Sequence, residues 1–158
     1  MAHRLLPDLA LVQRLCAVGL RPTRQRLAVA GVILRAPRHM TADQVLEELQ
    51  AGAGFASTAI ETEAPEEPAR ISRATVYATL AQFAAAGLLR ELHTGGDAVV
   101  YDSNPSRHAH WVDVDTGEVH DLPDGVRCQL QGLDGLPPGL CVEDVQLVLR
   151  VRRQPAAA

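Results

Sequence analysis

The stretch Ile71–Gly87, ISRATVYATLAQFAAAG, decides the fold. Ser72 can cap a helix and Gly87 can end it in the left-handed conformation. Val76, Leu80, Phe83 and Gly87 recur at helical spacing, which gives one apolar stripe facing a core. The opposite stripe, Ala74, Ala78, Ala81 and Ala85 with Thr75 and Gln82 alongside, is small and nearly uncharged, suited to close approach to a large surface. Arg73 and Tyr77 flank it. Such a helix reads as a recognition helix entering a DNA major groove; the competing reading is an alanine-rich solvated helix.

Upstream, Leu5–Val18 carries Leu6, Leu9, Val12, Leu15 and Cys16 at helical spacing, with Gly19 as a stop. Pro22 can open a second helix running to about Ala36 through Leu27, Ala30, Ile33 and Leu34, which holds three arginines on its first turns. Thr41-Ala42-Asp43-Gln44 has the spacing of a capping box at the start of a third helix, whose Val45, Leu46 and Leu49 face inward. Gly52–Arg70, rich in Gly, Ala, Thr, Glu and Pro, reads as a flexible surface insertion. Downstream, Leu88–Thr94 and Ala98–Asp102 read as two strands joined at Gly95-Gly96. Three helices and a two-stranded wing make a winged-helix domain; an all-helical bundle with an incidental hairpin is the alternative.

With 158 residues, 47% of them apolar, the chain can build one compact domain or two small ones. No apolar run approaches the ~20 residues of a membrane span, and the first ten residues carry an acid and a proline where a signal peptide would be apolar. The expectation is a cytoplasmic protein with no membrane partner. Cys16, Cys128 and Cys141 are scattered and form no CxxC, a pattern for reduced thiols. The net charge of −4 conceals segregation: residues 1–40 hold seven arginines against Asp8 alone, and the acids gather later. A basic end on an acidic remainder is an electrostatic footprint for phosphate.

The second half changes character. His108–Val114 alternates, Asp115-Thr116-Gly117 turns, and Glu118–Leu122 returns as a paired strand. Gly125–Leu133 reads as a short helix, and Val145, Leu147, Leu149 and Val151 alternate in a last strand. A domain of about fifty residues is marginal alone, and dimerisation through its sheet would remove an edge and supply buried area. Period-two geometry places His108 and His110 on one face, with Asp121 on the paired strand and Asp102 ending the wing. Nitrogen and carboxylate donors suit Fe(II), Mn(II) or Zn(II). A solvated sheet face would explain His108, His110 and His120 equally, and His108-x-His110-x4-Asp115 also passes as a cupin-type enzyme pattern.

The run Gly19-Leu20-Arg21-Pro22-Thr23-Arg24-Gln25-Arg26, then His39-Met40-Thr41-Ala42, Ala74-Thr75-Val76-Tyr77-Ala78-Thr79-Leu80, Gly87-Leu88, Tyr101-Asp102 and His108-Ala109-His110 resembles the ferric uptake regulator (Fur) family in content and order. Thr116–Pro123 and the ending Val145–Arg153 look most like its iron response regulator (Irr) branch.

The resemblance implies an α+β homodimeric transcriptional regulator of iron-homeostasis genes that binds double-stranded DNA at an inverted-repeat operator. Residues 1–102 would form the winged-helix domain with 52–70 as its insertion, 103–153 the dimerisation and metal-binding domain, and 154–158 a disordered tail. Carried over by position, the family's hinge metal site falls on His39, Asp102, His108, His110 and Asp121. It would hold Fe(II) or Mn(II), with Zn(II) as an in vitro substitute. The DNA contacts fall on Arg21, Thr23, Arg24, Arg26, Arg73, Thr75 and Tyr77. Asp113 and Thr116 stand where many members carry CxxC, so no structural zinc held by four cysteines is expected. Haem is a further candidate signal, although Cys16 is followed by Ala17 and Ala109 interrupts the histidine run. Ala78 replaces a longer polar residue after the tyrosine, which would relax base selection.

Overall fold

The computed structural model describes residues 8–52, 71–123, 125, 126 and 128–154. The chain divides into two compact units, Met1–Pro105 and Ser106–Ala158.

The N-terminal unit is built on α1 (Leu9–Ala17), α2 (Arg24–Ile33), α3 (Ala42–Gln50) and α4 (Arg73–Ala85), with strands β1 (His39–Thr41), β2 (Arg90–Leu92) and β3 (Val100–Asp102). Helix starts follow local chemistry. Asp8 accepts from Leu11 N–H, Thr23 from Arg26 N–H and Ser72 from Thr75 N–H, each satisfying an orphan donor of the first turn. Thr41 and Gln44 form the anticipated capping box, each side chain bonded to the other's backbone N–H. The first helix therefore begins at Leu9, after its Asp8 cap, and Leu5 and Leu6 lie outside the described residues. The second begins after Thr23 and ends at Ile33, short of Ala36, because Pro37 disfavours helical geometry at the residue before it.

Helix α2 is central: every residue from Leu27 to Ile33 is buried, so it packs on all sides rather than along one stripe. Leu15, Val45, Val76, Leu80 and Phe83 close around it, and Phe83 is the largest fully buried side chain. Gly87 (φ 74°) ends α4 as expected. Its N–H donates to the Ala84 carbonyl, and Leu88 N–H reaches back to Phe83.

The expected wing forms, with β2 and β3 antiparallel and Arg90 opposite Asp102. A third strand joins it. β1 pairs with the other edge of β3, giving the order β1-β3-β2 and placing His39 directly opposite Asp102. Three residues are too few for an alternation signal, which is why this strand escapes a reading of sequence alone. Most of the expected insertion, residues 53–70, lies outside the described residues.

In the C-terminal unit, β4 (His110–Asp113) pairs antiparallel with β5 (Val119–Asp121) and parallel with β6 (Val148–Val151), in the order β5-β4-β6. The short helix expected at Gly125–Leu133 does not form among the described residues; a single 3-10 turn at Leu133–Gly135 follows instead. Gly125 and Gly132 adopt φ 102° and 77°, values no right-handed helix contains, and they break the segment at both ends. Leu130, Leu136, Leu140, Leu149 and Val151 are exposed in the single chain.

Candidate metal centre and nucleic-acid interface

In the C-terminal unit the register opposes His110 to Asp121 across β4 and β5, so both side chains leave the same face. Asp121 Oδ1 lies 2.8 Å from His108 Nε2 and 3.5 Å from His110 Nε2, and the two imidazole centroids are 4.3 Å apart. His108 sits before β4 rather than on it. Its ring is aimed by a second contact: Nδ1–H donates to the Ser106 carbonyl at 2.9 Å, which leaves Nε2 as the atom facing the carboxylate. His110 is 1% exposed, and the three candidate donor atoms lie within 4.8 Å of one another. The donor chemistry fits a borderline or hard divalent cation, with the Ser106 carbonyl supplying the outer hydrogen bond that orients a ligating histidine.

His120 takes no part in that cluster. On a regular β5 it points to the other face and stacks on Trp111, with centroids 4.3 Å apart and planes 21° apart. The cupin-type pattern is not assembled either. Asp115 lies in the turn, ion-paired with Arg152 at 3.2 Å, and among the described residues the sheet of this unit has three strands.

In the N-terminal unit, His39 and Asp102 form a second cross-strand pair, Nε2 to Oδ1 3.6 Å, with Asp102 only 1% exposed. Their neighbours lock them. Ser103 Oγ accepts from Arg38 N–H at 2.8 Å and donates to the Ala36 carbonyl at 3.0 Å, while Ser103 N–H donates to the Arg38 carbonyl. Asn104 N–H donates to Asp102 Oδ1 at 2.7 Å, which fixes the carboxylate. Arg38 spans Glu48 and the Val32 carbonyl, tying this edge to α2 and α3. No motif marked Arg38, Ser103 or Ser106, because their contribution depends on chain segments brought together by folding.

Helix α4 presents the face read from its sequence: Arg73, Ala74, Tyr77, Ala78, Ala81, Gln82 and Ala85 are exposed, and Val76, Leu80 and Phe83 are buried together with Thr79. Tyr77 is 41% exposed. Arg73 donates to Tyr77 Oη at 3.3 Å and to Asp43 Oδ2 at 2.9 Å, and its guanidinium lies 5.5 Å from the Tyr77 ring centre. The hydrogen bond to Tyr77 and then the charge of Asp43 hold the Arg73 guanidinium above its ordinary pKa. Burial, then the charge of Glu91, raises the Tyr101 phenol on β3, so it stays neutral. Arg26 donates to Gln82 Oε1 through Nε (3.2 Å) and a terminal nitrogen (2.9 Å), and to the Arg21 carbonyl. Thr23 Oγ1 accepts from the helix start, which leaves its O–H as a donor; Thr75 Oγ1 shares a hydrogen bond with Ser72 Oγ. Arg21 is exposed and Arg24 half-buried at the head of α2.

The basic surplus is partly absorbed by the fold. Arg14 donates to the Leu34 carbonyl, Arg35 pairs with Asp8, and Arg38 is held by Glu48. Counting arginines in the sequence overstates the charge facing outward.

Residues 17–131 match the model of the ferric uptake regulator family. The chain belongs to the ferric uptake regulator family. Its members are metal-responsive, DNA-binding transcription regulators rather than enzymes. The chain is similar to the ferric uptake regulation protein of Pseudomonas aeruginosa, 35% identical over 138 residues, which cover 86% of this chain and 92% of that protein. It is also similar to the peroxide-responsive repressor PerR of Staphylococcus aureus, 29% identical over 66% of this chain and 60% of the repressor. The structure of the Pseudomonas aeruginosa ferric uptake regulator with manganese superposes with a TM-score of 0.60 at 29% identity, over 90% of this chain and 97% of that one. The Vibrio cholerae regulator gives 0.59 at 26% identity, over 90% and 98%. The α+β class with a winged helix and a second domain is thereby established. Among the described residues, no helix is long and apolar enough to cross a membrane.

Proposed function

We propose that this chain is a homodimeric regulator of iron-homeostasis genes, in which one divalent ion bound by His39, Asp102, His108, His110 and Asp121 controls affinity for an inverted-repeat operator. The observation that carries the reading is the convergence of His108 Nε2 and His110 Nε2 on one Asp121 oxygen, with His108 Nδ1–H already committed to Ser106. His39 and Asp102 supply a matching imidazole and carboxylate on a locked strand edge. Three nitrogens and two carboxylates suit Fe(II) or Mn(II), with Zn(II) substituting in vitro. The bound ion supplies a fixed positive charge and a link between ligands. The chain's own residues do the rest: Ser106 sets the tautomer of His108, Asn104 and Ser103 hold Asp102, and β5 carries Asp121 beneath the two imidazoles.

On this reading, α4 enters the major groove with Tyr77 near base edges, Arg73 and Thr75 beside it, and Arg21, Thr23, Arg24 and Arg26 placed toward phosphates. A dimer presents two such helices to half-sites about 34 Å apart or a multiple of that. The exposed Leu149 and Val151 on β6 support burial against a second copy. The likeness of Thr116–Pro123 and Val145–Arg153 to the Irr branch adds haem as an alternative signal, and the absence of CxxC argues for function without a structural zinc.

The test selects an operator from a randomised duplex library with Mn(II)-loaded protein, then measures its affinity without ligand, with Mn(II) or Fe(II), and with haem. Metal-dependent tightening is the expected result. Tightening by haem alone would move the signal to haem. Equal affinity in all states would replace the regulator reading with a constitutive DNA-binding dimer.

A further inference from the structure

We propose that Asp43 is a specificity-determining residue of the DNA-binding surface: it holds Arg73 and Tyr77 together and so penalises attachment of α4 to DNA of arbitrary sequence. The proposal rests on the reading of α4 as the recognition helix, and adds to that surface an acidic residue from the neighbouring α3.

The geometry is a closed triangle of three exposed side chains from two helices. Asp43, on the first turn of α3, offers Oδ2 to Arg73 at 2.9 Å and Oδ1 to the Tyr77 hydroxyl at 3.4 Å. Arg73 closes the third side, donating to Tyr77 Oη at 3.3 Å with its guanidinium 5.5 Å from the ring centre. One exposed ion pair is weak, but three contacts that use Arg73 Nη2 and Tyr77 Oη twice each restrict the three side chains together. The consequence is a phenol with one orientation and an arginine whose charge is already answered.

An acid on a surface that meets a polyanion needs a reason. Phosphates carry the sequence-independent part of DNA affinity, and any unpaired arginine adds to it. Arg73 reaches Asp43 through Nη2 alone, so to take a phosphate it either leaves Asp43 or turns Nε and Nη1 to the phosphate and brings the carboxylate up with it; in both cases a carboxylate then faces the DNA backbone. Random DNA meets that repulsion without compensation. A cognate site that offers an amino group, such as cytosine N4 or adenine N6, gives the carboxylate a donor that no phosphate can provide. Asp43 thus acts as a repulsive element against wrong partners, the usual second ingredient of specificity. Both elements of the pair, α3 and α4, pack on the same core, which keeps the triangle together.

The experiment compares metal-loaded full-length protein with Asp43→Asn, Arg73→Ala, the double variant and Asp43→Glu. Each is titrated against the duplex selected by the wild type and against a random-sequence duplex, over a range of salt. Asp43→Asn should tighten random-duplex binding, steepen its salt slope by about one unit, and cut the operator-to-random ratio on the order of tenfold. Asp43→Glu should recover part of that ratio. In the Arg73→Ala background there is no arginine to release, so Asp43→Asn should leave the salt slope nearly unchanged and shift the ratio clearly less than it does with Arg73 present. A ratio within twofold of wild type for Asp43→Asn overturns the proposal, and so does an equal effect of Asp43→Asn with and without Arg73, which would reduce Asp43 to bulk surface charge. If the wild type selects no sequence at all, the reading of α4 fails first and the role of Asp43 with it.

Discussion

Asp121→Asn isolates the electrostatic share of the candidate metal cluster in the C-terminal unit, because asparagine keeps the shape and one neutral oxygen while removing the charge. Asp121 Oδ1 is the atom on which both imidazoles converge, at 2.8 and 3.5 Å, and its side chain is 42% exposed. The charge of a ligating carboxylate is centred about 3 Å from a dication and attracts it by roughly 3 kcal/mol in water and roughly 11 kcal/mol at an effective dielectric of about 20. The exposure places Asp121 toward the aqueous end, so the loss is about 2–4 kcal/mol, or roughly 30- to 1,000-fold in dissociation constant. Calorimetric titration with Mn(II) measures it directly. Asp115→Asn is the control, since Asp115 is an exposed carboxylate of the same unit paired with Arg152, and its removal should shift affinity less than about threefold. An Asp121→Asn affinity within threefold of wild type would refute the assignment of Asp121 as a ligand.

Further outcomes follow from particular contacts. Phe83→Ala empties the largest fully buried position of the N-terminal unit and should cost about 3–5 kcal/mol in urea denaturation followed by circular dichroism. Thr41→Ala removes the capping box and the bond to Gln44 N–H, and should lower stability by roughly 1–2 kcal/mol in the same assay. Protein purified without added metal should contain no stoichiometric, chelator-resistant zinc, because Asp113 and Thr116 stand at the CxxC positions; elemental analysis decides this. His39→Ala should weaken Mn(II) binding without abolishing it and remove the metal dependence of operator affinity, whereas His108→Ala with His110→Ala should abolish metal binding in the same titrations.

What the sequence disclosed was whatever short-range chemistry controls. The Ser72 cap, the Thr41 capping box, the Gly87 terminator and the exposed alanine stripe of α4 are set by residues within one or two turns of each other, and each stands in the structure as read. The strand β1 was illegible because its three residues earn their conformation only by pairing with β3. The failed helix at Gly125–Leu133 shows the opposite error: apolar spacing outweighed two glycines that adopt left-handed geometry. The same division holds for the candidate sites. His108, His110 and Asp121 could be paired through a turn and a period of two, but Ser106 orienting His108, Ser103 clamping the edge at Arg38, and Asp43 engaging Arg73 involve contacts that spacing does not encode.

The two sets of candidate ligands differ in how they are held, and that difference bears on signalling. His39 and Asp102 lie on adjacent strands fixed by Ser103, Asn104 and Arg38, so their separation is set by the β1–β3 ladder before any ion arrives. His110 and Asp121 are likewise opposed in the β4–β5 ladder, with His108 aimed by Ser106. The backbone of each set is already in register before a cation arrives, so the ordering cost inside either unit is reduced to side-chain adjustment. On the proposed five-ligand site, nearly all the difference between bound and free states is then available to fix one unit against the other. The ion can shift that equilibrium only by the difference between its affinities for the joined and separated arrangements, and a change from 1:99 to 99:1 needs a ratio of about 10,000. Two ligands from His39 and Asp102 must supply that ratio. His39→Ala therefore tests the coupling itself: it should remove the metal dependence of operator affinity and, because linkage makes the two effects reciprocal, the equal operator dependence of metal affinity, which titrations of metal with and without operator measure.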